Sequence, residues 1–289
     1  MDKMYEIILK PKKEFHVPVE VEVISPDKLA GKSISEIKNE IVYEGNRMKR
    51  LEELFEVTGE VGEAPDKIRI IIENSSKKLW RIGEGMTAGE IIVKGNAGNY
   101  LGKNMAGGKI TVHGNTGSWI GAEMIDGTIE IHGNAGNYVG ARFRGETQKK
   151  GMKGGKIIIH GKAGVEVGYG MLKGAIIIDG NCLEFPGIKM KGGSILIKGN
   201  CPGRAGAEMT GGKIVICGRV ESILPSFYIE SIEKAAKVKG IKVEGPFYMF
   251  LGDYLASRRP YGRLYVSISN NPHLKNYAKL IEEGGEQND

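Results

Sequence analysis

The chain holds only three cysteines, Cys182, Cys201 and Cys217, and no C-x-x-C pair. Three thiols are too few for a disulfide framework and cannot hold an iron–sulfur cluster by themselves. Nowhere do 18 apolar residues follow one another, so no membrane-spanning helix is expected, and the N-terminus has no apolar stretch of the signal-peptide kind. These absences point to a cytoplasmic protein. Catalytic signatures are missing too: there is no G-x-S-x-G elbow, no H-E-x-x-H and no cysteine with an evident histidine partner. Gly102-Lys103 is followed by Asn104 where a phosphate loop needs Ser or Thr, and Gly83-x-Gly85 opens no βαβ unit. No catalytic residue, cofactor-binding residue or metal ligand set is expected on this chain.

What is abundant is glycine, 44 residues in 289, and its spacing is regular. Turns open at Gly89, Gly108, Gly127, Gly155, Gly174, Gly193 and Gly212, every 19 residues except for one step of 28, which carries an insertion of 9. A unit this short cannot bury its own apolar face and must stack on a copy of itself. Two and four residues after each opening glycine stand β-branched residues, such as Ile91 and Val93, Ile129 and Ile131, or Ile214 and Ile216. Period-two alternation puts both columns on one face of a short strand. The expected fold is all-β: a right-handed parallel β-helix, a single-stranded solenoid of about seven turns, with small N- and C-terminal capping segments.

The remaining columns read as structure. Glycines recur at the coil corners, where positive φ is expected. Met105, Met124, Phe143, Met171, Met190 and Met209 form a column of core filler. Asn96, Asn115, Asn134, Asn181 and Asn200 suit left-handed backbone or a stacked amide ladder, with Lys162 and Arg219 as exceptions. His113, His132 and His160 share one outward position in successive turns, flanked in that column by Lys94, Asp179, Lys198 and Cys217 but with no acid among the three, and are read as a solvated ladder or interface rather than a metal site.

The outward column three residues after the opening glycine turns apolar at Ile158, Ile177, Leu196 and Val215. Such a stripe should not face water, so these four are candidate interface residues, covered either by the chain's own C-terminal segment or by a partner. The net charge is +6, with a basic cluster in the insertion, Arg142, Arg144, Lys149 and Lys150, and another at Arg258, Arg259 and Arg263. Aromatic residues make up only 7% of the chain and do not interleave with these charges, apart from Phe143, so docking to an acidic partner is expected rather than nucleic acid.

Three regions follow: residues 1–65 as an N-terminal capping module, 66–226 as the coil, and 227–289 as a C-terminal helix and strands packing on it. Residues 15–23 read as an early strand with Val17, Val19, Val21 and Val23 on one face, and residues 33–41 and 47–55 as helical or turn-like. Ile68, Ile70 and Ile72 mark a degenerate first coil. Residues 229–239 have near-helical apolar spacing, 241–251 and 264–268 read as strands, and the polar stretch beyond Tyr277 is expected to fray.

The coil consensus resembles the GXGXG domain known at the C-terminus of the glutamate synthase large subunit. The wider chain more closely resembles the C subunit of formylmethanofuran dehydrogenase, through the Gly-Asn-x-Gly turns, residues 51–59 (LEELFEVTG), residues 223–227 (ILPSF) and residues 251–254 (LGDY). No amidotransferase or flavin domain precedes the coil, unlike glutamate synthase. The resemblance implies a scaffold subunit of the complex that reduces carbon dioxide onto methanofuran in the first step of methanogenesis. It places a tungsten or molybdenum pterin and iron–sulfur clusters on other subunits, and implies as partners the pterin-containing catalytic subunit and an amidohydrolase-like subunit. Two other readings stay open: the corresponding C subunit of a related formyltransferase/hydrolase complex, and an independent β-helix enzyme.

Overall fold

The isoleucine columns stack in register. Ile70 pairs with Ile91, Ile91 with Ile110, Ile110 with Ile129 and Ile129 with Ile157, all in parallel. In the computed structural model residues 3–145 and 151–285 are described. They fall into two units, one running to Gly136 and including Gly155–His160, the other comprising Asn137–Gly154 and the chain from Gly161 onward. Both are mostly β, each with a run of parallel strands consistent with a solenoid.

The first unit contains β1 (Tyr5–Pro11), β2 (Val19–Glu20), β3 (Ile41–Glu44), β4 (Arg47–Arg50), β5 (Phe55–Gly59), β6 (Ile68–Ser75), β7 (Leu79–Trp80), β8 (Glu90–Gly95), β9 (Lys109–Val112), β10 (Thr128–Ile131) and β11 (Lys156–Ile159). Its main sheet runs β5-β1-β6-β8-β9-β10-β11, parallel throughout except that β5 is antiparallel to β1; β4-β3-β2-β7 form a small second sheet. The degenerate coil at Ile68, Ile70 and Ile72 is strand β6, with all three side chains buried. The early strand is not where the valines placed it. β1 extends the columns by setting Ile7 beside Ile70 and Leu9 beside Ile72, whereas within residues 15–23 only Val19–Glu20 is strand. Pro18 has no N–H to give a ladder, and Val17 stays exposed while Val19, Val21 and Val23 are buried.

Helix α1 (Pro26–Leu29) is followed by α2 (Ile34–Lys38). α2 starts at a capping box in which the Glu36 N–H donates to Ser33 Oγ at 3.2 Å and the Ser33 N–H donates to Glu36 Oε2 at 2.7 Å. It stops at Asn39, and Ile41 already belongs to β3. Residues 47–55 are likewise mixed: strand β4, then the single turn α3 (Leu51–Leu54).

The second unit contains β12 (Ala175–Ile178), β13 (Ser194–Ile197), β14 (Lys213–Ile216), β15 (Tyr228–Val238), β16 (Ile241–Gly252), β17 (Gly262–Ser267) and helix α4 (Asn276–Gly285). β12, β13, β14 and β17 are parallel and adjacent in that order; β16 is antiparallel to β17, and β15 to β16. Residues 229–239, expected to be helical, are therefore strand. Their apolar spacing resembled a helix by coincidence, and pairing along the length of β16 decides the matter. The stretch beyond Tyr277 is helical to Gly285 rather than frayed, anchored by the Tyr277 ring 5.0 Å from Phe250.

The corners need glycine for space as well as for φ. A Cβ on Gly107 would lie 2.0 Å from the Thr87 carbonyl oxygen, and one on Gly121, at φ +60°, would lie 2.5 Å from Ile157 Cδ1. Yet glycine does not hold every left-handed position. Tyr100, Trp119, Tyr138, Glu166, Phe185 and Arg204, each two residues before a corner glycine, have φ between +55° and +64°. None of the ladder asparagines does. Their side chains act differently: Asn96 Oδ1 accepts the Asn115 N–H at 2.8 Å, Asn115 Oδ1 the Asn134 N–H at 2.8 Å, and Asn181 Oδ1 the Asn200 N–H at 2.9 Å. Each of these three asparagines thus ties its turn to the main chain of the next.

Met105, Met124, Met171, Met190 and Met209 are fully buried, but their column is completed by Met152, not Phe143. The Met152 N–H donates to the Gly140 carbonyl at 3.2 Å, as Met171 does to Gly168 at 3.0 Å. The insertion therefore leaves after Gly140 and returns before Met152, and Phe143 belongs to it.

Candidate functional site

Ile177, Leu196 and Val215, candidate interface residues expected beneath either the C-terminal segment or a partner, are interior. They pack with Ala236 and Val238 of β15, Phe247 and Met249 of β16, and Tyr265 of β17. The chain's own C-terminal strands cover them, so they are not open to a partner. Ile158, in the first unit, is half-buried.

The arginines of the insertion are also engaged within the chain. Arg142 lies over the Tyr169 ring at 4.9 Å and donates to its hydroxyl at 3.2 Å, while Arg144 pairs with the Glu166 carboxylate. Lys149 and Lys150 lie outside the described residues.

The histidine ladder is present, with ring centroids 5.3 Å apart for His113 and His132 and 5.2 Å for His132 and His160. It has an acid neighbour that its own column does not reveal: Glu130 Oε1 is 3.3 Å from His160 Nε2, and Lys109 is 3.2 Å from the same carboxylate. The hydrogen bond with His160, helped by Lys109 and opposed by partial burial, holds the Glu130 carboxyl below the usual carboxylate range. Among the described residues no group of three or more His, Cys, Asp or Glu could hold a metal ion.

All three cysteines are free thiols. Burial pushes Cys201 up to about 12, and burial together with the adjacent Cys201 pushes Cys182 well up. Such thiols are poor nucleophiles. A surface depression of about 530 Å³, lined by Glu22, Lys28, Lys32, Glu36 and Glu40, brings together no nucleophile and base; its Lys32 is already paired with Glu40.

Two further arrangements have partners that the sequence does not show. Arg81 gathers Glu20, Glu22 and Glu84 at 3.2, 2.6 and 2.6 Å, and Lys103 reaches Glu84 at 3.1 Å, tying β2 and the first coil together. Only the Arg81-x-x-Glu84 spacing hinted at it. The second is a buried aspartate: Asp253 Oδ2 accepts the Glu208 N–H and Oδ1 the Leu255 N–H, both at 2.9 Å, and its own N–H donates to the Met209 carbonyl at 2.8 Å. The aromatic segment around it, with Phe247, Tyr248 and Phe250 buried, is a packed cover. Past Asp253 the loop turns outward, and Leu255 and Tyr261 become the most exposed large apolar residues described, at 88% and 77%.

Fold and site together define a glycine-cornered, mostly-β repeat protein whose inward columns are buried packing residues. No protein-family model matches the chain. It is 57% identical over 277 residues, 94% of its length and 100% of the relative's, to the C subunit of the tungsten-containing formylmethanofuran dehydrogenase 2 of Methanococcus maripaludis. The chain therefore belongs to the family of formylmethanofuran dehydrogenase C subunits. The counterpart in Methanothermobacter wolfeii is 52% identical over 99 residues, 34% of this chain and 37% of that one, so there the match spans just over a third of the relative. Among solved structures, one of the formyltransferase/hydrolase complex from Methylorubrum extorquens, with methylofuran bound, superposes with a TM-score of 0.77 at 26% identity, over 90% of this chain and 99% of that one. No helix among the described residues is long and apolar enough to cross a membrane.

Proposed function

We propose that this chain is the non-catalytic scaffold subunit of a formylmethanofuran dehydrogenase complex, which reduces carbon dioxide and forms N-formylmethanofuran in the first step of methanogenesis. The observation that carries the reading is the end-to-end match, at 57% identity, to a relative that is the C subunit of such an enzyme. The internal chemistry agrees with it: the Met, Asn, Gly and Ile columns all serve packing and turn-to-turn bonding. In this reading residues 66–226 form a right-handed parallel β-helix, a handedness favoured by the general preference of parallel crossovers, and residues 1–65 and 227–289 close its ends. The tungsten or molybdenum pterin and the iron–sulfur clusters sit on neighbouring subunits, among them a pterin-containing catalytic subunit and an amidohydrolase-like one. The assembly is cytoplasmic, in keeping with three free thiols.

Native purification through a tag on this chain, followed by mass spectrometry, tests the reading. The expected result is stoichiometric recovery of the other subunits with oxidoreductase activity. Recovery of the chain alone, or substrate turnover by the isolated chain, would overturn it. The likeness to the Methylorubrum structure favours a second reading, a scaffold in a formyltransferase/hydrolase complex; co-purified subunits without a pterin-containing one would select it.

A further inference from the structure

We propose that the loop at residues 254–261, between β16 and β17, is a docking element for an acidic protein surface, a neighbouring subunit with an apolar recess rimmed by carboxylates. The inference rests on the reading of the chain as part of a larger complex and specifies where one contact is made.

The loop's backbone is fixed. Tyr254 N–H donates to the Ser226 carbonyl at 3.1 Å, Ala256 and Ser257 N–H to the Asp253 carbonyl at 3.1 and 3.2 Å, and Tyr261 N–H to the Thr210 carbonyl at 3.0 Å. Leu255 N–H is held by the buried Asp253 carboxylate. Most of its side chains nevertheless point into solvent, Ser257 and Pro260 excepted. Leu255 and Tyr261 are the extreme cases, and Tyr254 is packed edge-on against Tyr228 at 4.7 Å, with Tyr228 itself 62% exposed. A segment whose main chain is pinned while its aliphatic and aromatic side chains are presented outward gives up little conformational entropy on binding. Exposed Tyr261 beside Arg258 and Arg259 matches the residue types enriched at protein interface centres, and Leu255 adds exposed apolar area.

The charge is one-sided. From residue 254 to residue 281 the sequence contains no Asp or Glu, while Arg258, Arg259, Arg263, Lys275 and Lys279 are all basic. Arg258 and Arg259 are exposed. Close by, Lys213 has its pKa lowered, first by burial and then by repulsion from Arg263 and Lys237. A carboxylate-rich surface would relieve that repulsion, and the outward aliphatic Leu255 favours a protein over a nucleic acid.

The test uses the whole complex, purified through this chain as wild type, as Leu255→Asp/Tyr261→Ser and as Arg258→Glu/Arg259→Glu. Circular dichroism should be the same for all three, since the altered side chains are exposed. Each variant should recover at least one subunit about tenfold less well, and wild-type recovery of that subunit should fall as salt rises from about 0.05 to about 0.5 M. Undiminished recovery of every subunit by both variants overturns the docking loop while leaving the scaffold reading intact. Failure of the wild type to recover any subunit overturns both. Wild-type binding to nucleic acid that is lost in Arg258→Glu/Arg259→Glu, or a self-dimer lost in Leu255→Asp/Tyr261→Ser, assigns the loop to a different partner and overturns the proposal.

Discussion

Glu130 and Val215 occupy the same place in the repeat, three residues after an opening glycine, yet meet opposite surroundings. Glu130 sits at the surface of the first unit with Lys109 and His160 on its carboxylate. Val215, with no exposed surface, lies in the second unit beneath strands that the chain brings back over it. The inward neighbours of both are buried isoleucines, Ile129 and Ile131 in one turn and Ile214 and Ile216 in the other. The repeat therefore dictates the inside of each turn and leaves the outward residue to be set by whatever covers that turn.

Exchanging the two characters gives the largest expected effect. Val215→Asp buries a charge with no partner and should lower stability by about 4 kcal/mol, read as a large drop in Tm. Glu130→Val should change stability by less than about 0.5 kcal/mol, the range of ordinary surface changes. Equal losses from the two substitutions would erase the distinction. Next comes a corner: Gly107→Ala forces a methyl onto the Thr87 carbonyl and should cost about 2–3 kcal/mol by denaturant titration.

The asparagine ladder sharpens the comparison from the side. Asn115→Ala removes the acceptor of the Asn134 N–H and should cost about 1 kcal/mol. Lys162→Asn, placing an acceptor one turn before Asn181, should gain about 0.5 kcal/mol. A loss there would mean that the ladder serves some end other than turn-to-turn bonding.

The smallest effect is that of pH on the exposed face. The Glu130 carboxyl is lowered in the folded state, so its contribution is complete above the ordinary carboxylate range and is lost as pH falls through the lowered value. For a surface pair that is only partly buried it should not exceed about 0.3 kcal/mol. The Tm difference between wild type and Glu130→Gln should be small at neutral pH and vanish at the acid end. A difference that grows on acidification would reverse the sign argued here.

The inside of the coil was legible because the same signal is written many times over. Ile91, Ile110, Ile129 and Ile157 reinforce one another, and a misreading of one is corrected by the rest. Features that occur once were not legible. β1 carries only Ile7 and Leu9 as alternation, a weaker signal than the longer valine run broken by Pro18. β15 showed helical spacing because only its last residues are buried, and its pairing partner is a separate stretch of chain. Phe143 fell into the methionine column because the point at which the insertion departs is marked by a hydrogen bond and not by a residue type. For the functional surface, the apolar stripe pointed to a covered face without naming the cover, and the exposed loop after Asp253 became visible only once the aspartate was seen to pin it.

The turn that departs at Gly140 and resumes at Met152 closes with the same main-chain bond as its neighbours, although eleven residues intervene where others have two. Lengthening a loop at a closed corner adds only slowly to its entropic cost. That corner is thus a natural graft site: the coil already carries one passenger there without losing count, and a reporter or binding peptide spliced in at the same point should ride along without disturbing the turns on either side.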